Sequence, residues 1–265
     1  MAASQGDLWV AGEAYERYVG RWSRLVAPIF LDGLGLPAGG RWLDVGCGTG
    51  ALSQAILGRC APASVLGIDL STGFLTLARQ QVTDNRAEFR PGDARDLPVP
   101  DAGFDAVVSG LVLNFVPDQS KAAAEMLRAA RPGGTVAAYV WDYAEGMQMM
   151  RRFWDAAVAL DPAVREKDEW PRFPLCQPGP LRALFEGAGL REVAVTAIEV
   201  PTTFRDFDDF WSPFLAGQGP APSYCVSIGE EGRAALRERL RASLPMEPDG
   251  SIRLTARAWA VRGRA

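Results

Sequence analysis

The stretch RWLDVGCGTGAL, Arg41 to Leu52, runs a short apolar segment into three alternate glycines and then into residues at helical spacing. It reads as a buried strand ending at Val45, a turn of Gly46, Cys47, Gly48, Thr49 and Gly50, and a helix behind the turn. A turn stripped of side chains lets a ligand come close to backbone at the end of a parallel strand. The helix that follows aims its unpaired first-turn N–H groups at the same place. An ordinary strand-to-helix turn can also use three glycines, and Gly46, Gly48 and Ala51 satisfy the dinucleotide pattern G-x-G-x-x-G/A. Dinucleotides and adenosyl compounds therefore compete for this turn, and the carboxylates around it discriminate between them.

Asp69 ends the apolar run VLGID, 23 positions after Gly46. A carboxylate there accepts hydrogen bonds from both hydroxyls of a ribose, while Ser71 is available to cap the next helix. Asp93 follows Gly92 in RPGDARDLP. It stands where a carboxylate can accept from the exocyclic amine of adenine, although aspartate is common in glycine-containing turns for other reasons. Asp44 sits inside the first strand, where an unpaired carboxylate costs several kcal/mol (order of magnitude) in lost hydration. The expectation for Asp44 is mainly a structural bond to the glycine loop; nicotinamide-binding turns usually carry an apolar residue at that place.

Outward from the turn, RWLDV, SVLGID, AEFRPGD, DAVVSG and TVAAYVW read as five short buried strands. ALSQAILGRC, STGFLTLARQQV and QSKAAAEMLRAA alternate with them as helices. This alternation predicts a parallel sheet with helices on both faces. RPGGT, Arg131 to Thr135, ends the last of these helices. LREVAVTAIEV reads as a sixth strand, and SIRLTARAWAV as a seventh with one face more exposed. Two long insertions, after the fifth and sixth strands, exceed ordinary connections.

The chain has 265 residues with 48% hydrophobic content, enough for one large domain, and no internal repeat. Lys and Arg total 28 against 32 Asp and Glu, so no basic surplus favours nucleic acid or an anionic membrane. MAASQGDLWV lacks the basic start and apolar core of a signal peptide, and no run approaches the roughly 18 apolar residues of a membrane span. Cys47, Cys60, Cys176 and Cys225 form no C-x-x-C pair, which points to reduced thiols in a cytoplasmic protein without a zinc site. Histidine is absent, which excludes a Ser-His-Asp triad, a Cys-His dyad and a His-ligated metal.

In their order and spacing, LDVGCGTG, GIDLS, PGDARDLP, FDAVVSG and RAARPGGT resemble the motif series of class I S-adenosylmethionine-dependent methyltransferases. The flavour is that of the small-molecule branch containing the ubiquinone/menaquinone C-methyltransferases. The resemblance covers about Tyr15 to Trp141. It implies an α/β, Rossmann-like, seven-stranded, mostly parallel sheet of order 3-2-1-4-5-7-6, with an antiparallel last strand, helices on both faces and a small helical cap. It implies S-adenosyl-L-methionine as cofactor, with Gly46, Cys47 and Gly48 behind its methionine part and Asp69 on its ribose. Leu70 and Phe74 would flank the adenine, and Gly92, Asp93 and Ala94 would meet its amine and ring. Ser109 and Gly110 would lie near the sulfonium. Arg21, in AYERYVGRWSRL, would pair with the methionine carboxylate, a charge-assisted contact.

The expected reaction is in-line methyl transfer to a small, largely apolar acceptor, driven by positioning. Tyr18, Asn114 and Asp142 are the candidate catalytic residues, with Tyr15, Trp141 and Tyr143 near them; no metal is called for. Residues 1–265 form a single domain, with a cap built from about 1–30, 142–179 and 202–248. Between Trp141 and Tyr224 fall 13 of the chain's 25 aromatic residues. Trp154, Trp170, Phe173, Phe204, Phe207, Phe210, Trp211 and Phe214 are expected either to line an apolar chamber over the cofactor or to form the cap's own core. A nicotinamide-dependent oxidoreductase is the alternative, although no Tyr-x-x-x-Lys pair is present; a non-catalytic cofactor-binding protein of the same fold is another. The acceptor is a small molecule rather than nucleic acid or membrane, and the spacing says nothing of oligomeric state.

Overall fold

The computed structural model describes residues 16–217 and 219–265. Tyr15 and the segment before it lie outside the described residues. A turn of π-helix, Glu16–Gly20, leads into helix α1, Arg21–Leu34. Strand β1, Arg41–Val45, then alternates with α2, Ala51–Arg59, β2, Ser64–Asp69, α3, Thr72–Gln81, and β3, Ala87–Pro91. Strand β4, Phe104–Gly110, is followed by α4, Gln119–Ala129, and β5, Ala130–Trp141. Two of these helices begin at a capping side chain. Ser71 caps α3 by accepting from Phe74 N at 3.3 Å, and Asp118 caps α4 by accepting from Lys121 N at 3.0 Å.

The first insertion carries α5, Gln148–Leu160, α6, Glu169–Arg172, and α7, Pro178–Gly187. Strand β6, Arg191–Phe204, precedes α8, Phe207–Trp211, α9, Pro220–Ser227, and α10, Gly229–Ser243. Strand β7, Ile252–Arg264, ends the chain. The seven strands form one sheet of order β3-β2-β1-β4-β5-β7-β6. Pairing is parallel from β3 through β5, and β7 is antiparallel to both neighbours. The sheet order expected from the resemblance is therefore the observed one. Strand β6 extends to Phe204 because Thr202 and Phe204 continue the inward-facing alternation against Leu254 and Ile252. Regular β4–β5 pairing starts at Thr135, since the glycines of RPGGT shift the register after Ala130.

Strand β5 is buried without interruption from Gly134 to Trp141, as a strand covered on both faces must be. Strand order reverses between β1 and β4, which opens a crevice at their carboxyl ends. The α1 end and both insertions meet beside that crevice. Tyr18 stands edge-on to Phe214 at 5.5 Å, Trp22 to Phe204 at 5.4 Å, and Phe153 stacks on Phe214 at 4.4 Å. Among the described residues, no helix is long and apolar enough to cross a membrane.

Candidate cofactor and active site

A cavity of about 380 Å³ opens at the crevice. Its floor is the glycine turn: Gly46 and Gly48 have φ of +73° and +54°, values that side chains rarely adopt. A Cβ at Gly46 would stand 2.5 Å from the Val112 side chain, so the turn packs tightly under the loop after β4. A Cβ at Gly48 would meet nothing within 4 Å, because that side of the turn faces the cavity. The amides of Gly46 and Cys47 both donate to Ile68 O, at 2.7 and 3.0 Å, which ties the turn to β2. Helix α2 starts behind the turn with no side-chain cap, and Ala51 and Leu52 border the cavity.

Asp69 ends β2 beside this floor and accepts from Gly48 N at 2.9 Å and Ser71 N at 2.8 Å. Burial raises its carboxyl above the ordinary range while these amides pull it back. The helix cap is Ser71, so Asp69 is not spent on that task. Gly92, Asp93 and Ala94 line the same cavity. Asp93 is held by Arg95 Nη2 at 2.6 Å and Arg95 N at 2.8 Å, and the arginine bonds lower its carboxyl. Phe74 and Leu70 complete this wall, and Leu70 is 68% exposed although apolar.

Asp44 is fully buried at the floor, where it borders the cavity. Its partner is the Ser53 hydroxyl on α2, 2.7 Å from Oδ2, rather than the glycine loop expected from the sequence. Its Oδ1 has no partner, and burial pushes the carboxyl up to about 7. Gly110 lines the cavity beside Tyr139, whose hydroxyl would stand 2.6 Å from a Cβ at that position. Tyr139 and Phe115 border the cavity, as does Ser23. The sequence reading missed all three. Tyr139 looked like one more residue of a buried strand, and only its pairing with Gly110 shows that a glycine was needed to seat it.

Several expected site residues are placed elsewhere. Ser109 is buried but does not line the cavity, because alternation along β4 turns it away from the face that Gly110 shares. Arg21 does not reach the cavity: Nη1 pairs with Asp209 at 3.0 Å, and the guanidinium stacks between Trp22 and Phe204. Asp142 is a structural carboxylate. It accepts from Ala144 N and Glu145 N and pairs with Arg257 Nη2 at 2.7 Å, away from the cavity. Tyr18 and Asn114 are buried beside the site without lining it. Asn114 Nδ2 lacks a partner. Tyr143 and Trp141 are likewise buried outside it.

The insertion rings pack on one another. Phe153, Trp154, Phe204, Phe210 and Phe214 are at most 1% exposed and touch one another, while none borders the cavity. Phe207 lies under Arg241, 4.4 Å from its ring, and Trp170 is 45% exposed rather than part of a chamber. Phe173 alone comes near, as its ring packs at 5.1 Å on Phe115.

Comparison with known proteins agrees with this geometry. Residues 43–138 match the model of a methyltransferase domain. The 2-methyl-6-phytyl-1,4-hydroquinone methyltransferase of Synechocystis is 32% identical over 188 residues, covering 69% of this chain and 57% of the relative. A demethylmenaquinone methyltransferase of Renibacterium salmoninarum is 40% identical over 114 residues, covering 43% of this chain and 45% of the relative. The chain thus spans about half the length of these curated relatives. Among solved structures, a Haemonchus contortus phosphoethanolamine N-methyltransferase, in complex with phosphomonomethylethanolamine and S-adenosylhomocysteine, superposes with a TM-score of 0.59 at 18% identity. That match covers 95% of this chain and 56% of the other. Residues 43–138 thus carry a methyltransferase domain, and the sheet order is the one that the resemblance to class I S-adenosylmethionine-dependent methyltransferases implies.

Proposed function

We propose that this protein binds S-adenosylmethionine in the crevice cavity and transfers its methyl group to a small, largely apolar acceptor. The observation that carries the reading is one cavity bordered by a side-chain-free turn, a ribose-competent carboxylate and an exposed leucine. The residues present fit the cofactor. Gly46, Cys47 and Gly48 leave room for its methionine part, Asp69 keeps lone pairs for two hydroxyls, and Leu70, Phe74, Asp93 and Ala94 suit a purine. When bound, the cofactor supplies a sulfonium methyl that is already electrophilic. The protein's share is to orient an acceptor and keep water out, work that positioning alone can advance by roughly 7–11 kcal/mol in favourable cases. Phe115 and Tyr139 border the cavity, and Phe115 packs on Phe173 of the first insertion, which makes this the wall against which an acceptor would lie. Relatives named for hydroquinone and demethylmenaquinone methylation support a phenolic acceptor.

Calorimetric titration with S-adenosylmethionine, S-adenosylhomocysteine and NAD tests the cofactor. Binding of the first two and negligible binding of NAD is the expected result; preferential NAD binding would sink the reading. Transfer of a labelled methyl group to a panel of hydroquinones, simple phenols and amines then identifies the acceptor class.

The carboxylate beside the turn gives a further expected outcome. Asp69→Ala should weaken cofactor affinity more than tenfold in a protein that still folds. Each charge-assisted bond lost is worth about 1.5–3 kcal/mol before water compensates. Equal affinity in a folded variant would assign Asp69 to holding Gly48 N and Ser71 N alone.

A further inference from the structure

Among the described residues, three carboxylates are buried in the cap region: Asp142, Asp168 and Glu169. Two have their own arginine. Asp142 pairs with Arg257 at 2.7 Å, and Asp168 pairs with Arg151 at 2.5 Å. Arg151 spends its two terminal nitrogens on Asp168 and on Tyr143 O, which leaves no cation for the third. Glu169 is 1% exposed, takes the indole N–H of Trp154 on Oε2, and has no partner on Oε1. An indole N–H needs one acceptor, which a backbone carbonyl or an amide would supply without burying a carboxyl. Half of this group is left over.

The surroundings point to where that half is used. Glu169 opens the four-residue helix α6, and Phe173 N donates to its carbonyl at 2.9 Å. The Phe173 ring rests on Phe115, which borders the cofactor cavity, so two rings separate the carboxyl's helix from the proposed methyl donor. Burial raises the Tyr18 hydroxyl and the Cys176 thiol, and the charge of Glu169 adds to both shifts; Asp168 and Arg151 bear on Glu169 itself. Trp154, which holds Oε2, itself packs edge-on against Phe153.

We propose that Glu169 is the acceptor-recognition carboxylate: its Oε1 receives the hydroxyl of a phenolic acceptor once Phe115 and Phe173 swing aside. When ionised it also takes that proton. The phenol O–H bond breaks, its electron pair stays on the phenol oxygen, and a new O–H bond forms on Oε1, with no oxidant or reductant required. The inference rests on the methyltransferase reading and adds a specificity: the acceptor must carry a hydrogen-bond donor. Burial raises the carboxyl to about 7 against the pull of the Trp154 N–H and of Arg151, which suits a group that exchanges a proton near neutrality in a chain without histidine.

The test uses protein saturated with S-adenosylhomocysteine, in anaerobic buffer, with 1,4-dihydroxynaphthalene and its dimethyl ether as probes. Calorimetry should show the diol binding wild-type protein at least tenfold more tightly than the ether. Glu169→Gln should lose at least tenfold for the diol, leave the ether unchanged and keep full affinity for S-adenosylhomocysteine. Trp154 emission should titrate with a midpoint near 7 in the wild type and not in Glu169→Gln. Equal binding of diol and ether to the wild type, or binding of neither, overturns the proposal while S-adenosylhomocysteine binding keeps the methyltransferase reading intact. So does a folded Glu169→Gln with unchanged diol affinity. Failure to bind S-adenosylhomocysteine would instead overturn the reading beneath it. The wild-type comparison needs no variant, so it stands even if Glu169→Gln does not fold.

Discussion

Gly48→Val is expected to yield a folded protein whose affinity for S-adenosylmethionine is at least a hundredfold lower. At φ of +54°, a β-branched residue is strained by about 1–3 kcal/mol, a cost that a domain of this size survives. The new Cβ meets nothing within 4 Å, so there is no clash to unfold the turn. Its methyls instead project into the cavity, over backbone that the ligand must approach. A hundredfold loss corresponds to about 2.8 kcal/mol, well within what a blocked contact surface forfeits. Gly46→Val makes the instructive contrast. There the Cβ would lie 2.5 Å from Val112, so thermal denaturation should show gross destabilisation before binding can be asked about. A folded Gly48→Val that titrates like the wild type in calorimetry would remove the cavity from the proposed function.

The stability of the protein should fall as pH rises from about 5 to 7, opposite to the usual behaviour of acidic proteins. Asp44 and Glu169 are fully buried, and burial raises both carboxyls to about 7 in the folded state. In the unfolded chain they return to the ordinary carboxylate range near 4. Between those limits the folded state binds protons that the unfolded state does not, so unfolding becomes easier with each step up in pH. The slope approaches about 1.4 kcal/mol per pH unit for each group and flattens above the folded pKa. The arginine-bound carboxylates work the other way. Asp84, lowered to about 2, and Asp93 contribute stability that is lost only as pH falls through the range below 4. Chemical denaturation at pH 5, 6, 7 and 8 should therefore place the greatest stability at the acid end. The double variant Asp44→Asn with Glu169→Gln should flatten that dependence. A wild-type curve that rises toward pH 8 would mean that neither carboxyl is protonated when folded.

Much of this site was legible before any coordinates. Gly46, Gly48, Asp69, Gly92 and Asp93 each sit within a few residues of a strand end, and strand ends are announced by local signals: an apolar run, then glycine or aspartate. Once β1 to β4 lie parallel in one sheet, their carboxyl ends must meet at one edge, so the cavity lining follows from spacing. The misplacements have a different origin. The family resemblance of its segment gives Arg21 to the methionine carboxylate, yet Asp209, 188 positions away, takes it. Asp142, a candidate catalytic residue by sequence, is held by Arg257, which β7 brings beside it from 115 positions on.

The same division separates what the amino-acid sequence determined alone from what tertiary structure decided. Turn chemistry, strand-helix alternation and the absence of histidine are properties of short windows or of composition. They settled the fold class, the place of the cavity and the exclusion of histidine-based catalysis. Which buried charge is neutralised depends on which distant segment packs against it, and periodicity carries no record of that partner. Asp142, Asp168 and Glu169 are alike in a sequence row; two meet an arginine in the fold and one meets Trp154. The aromatic clusters divide in the same way. Their density predicts a hydrophobic unit, but whether a ring faces a ligand or another ring is set by helix docking. The insertion rings bury their apolar surface against one another.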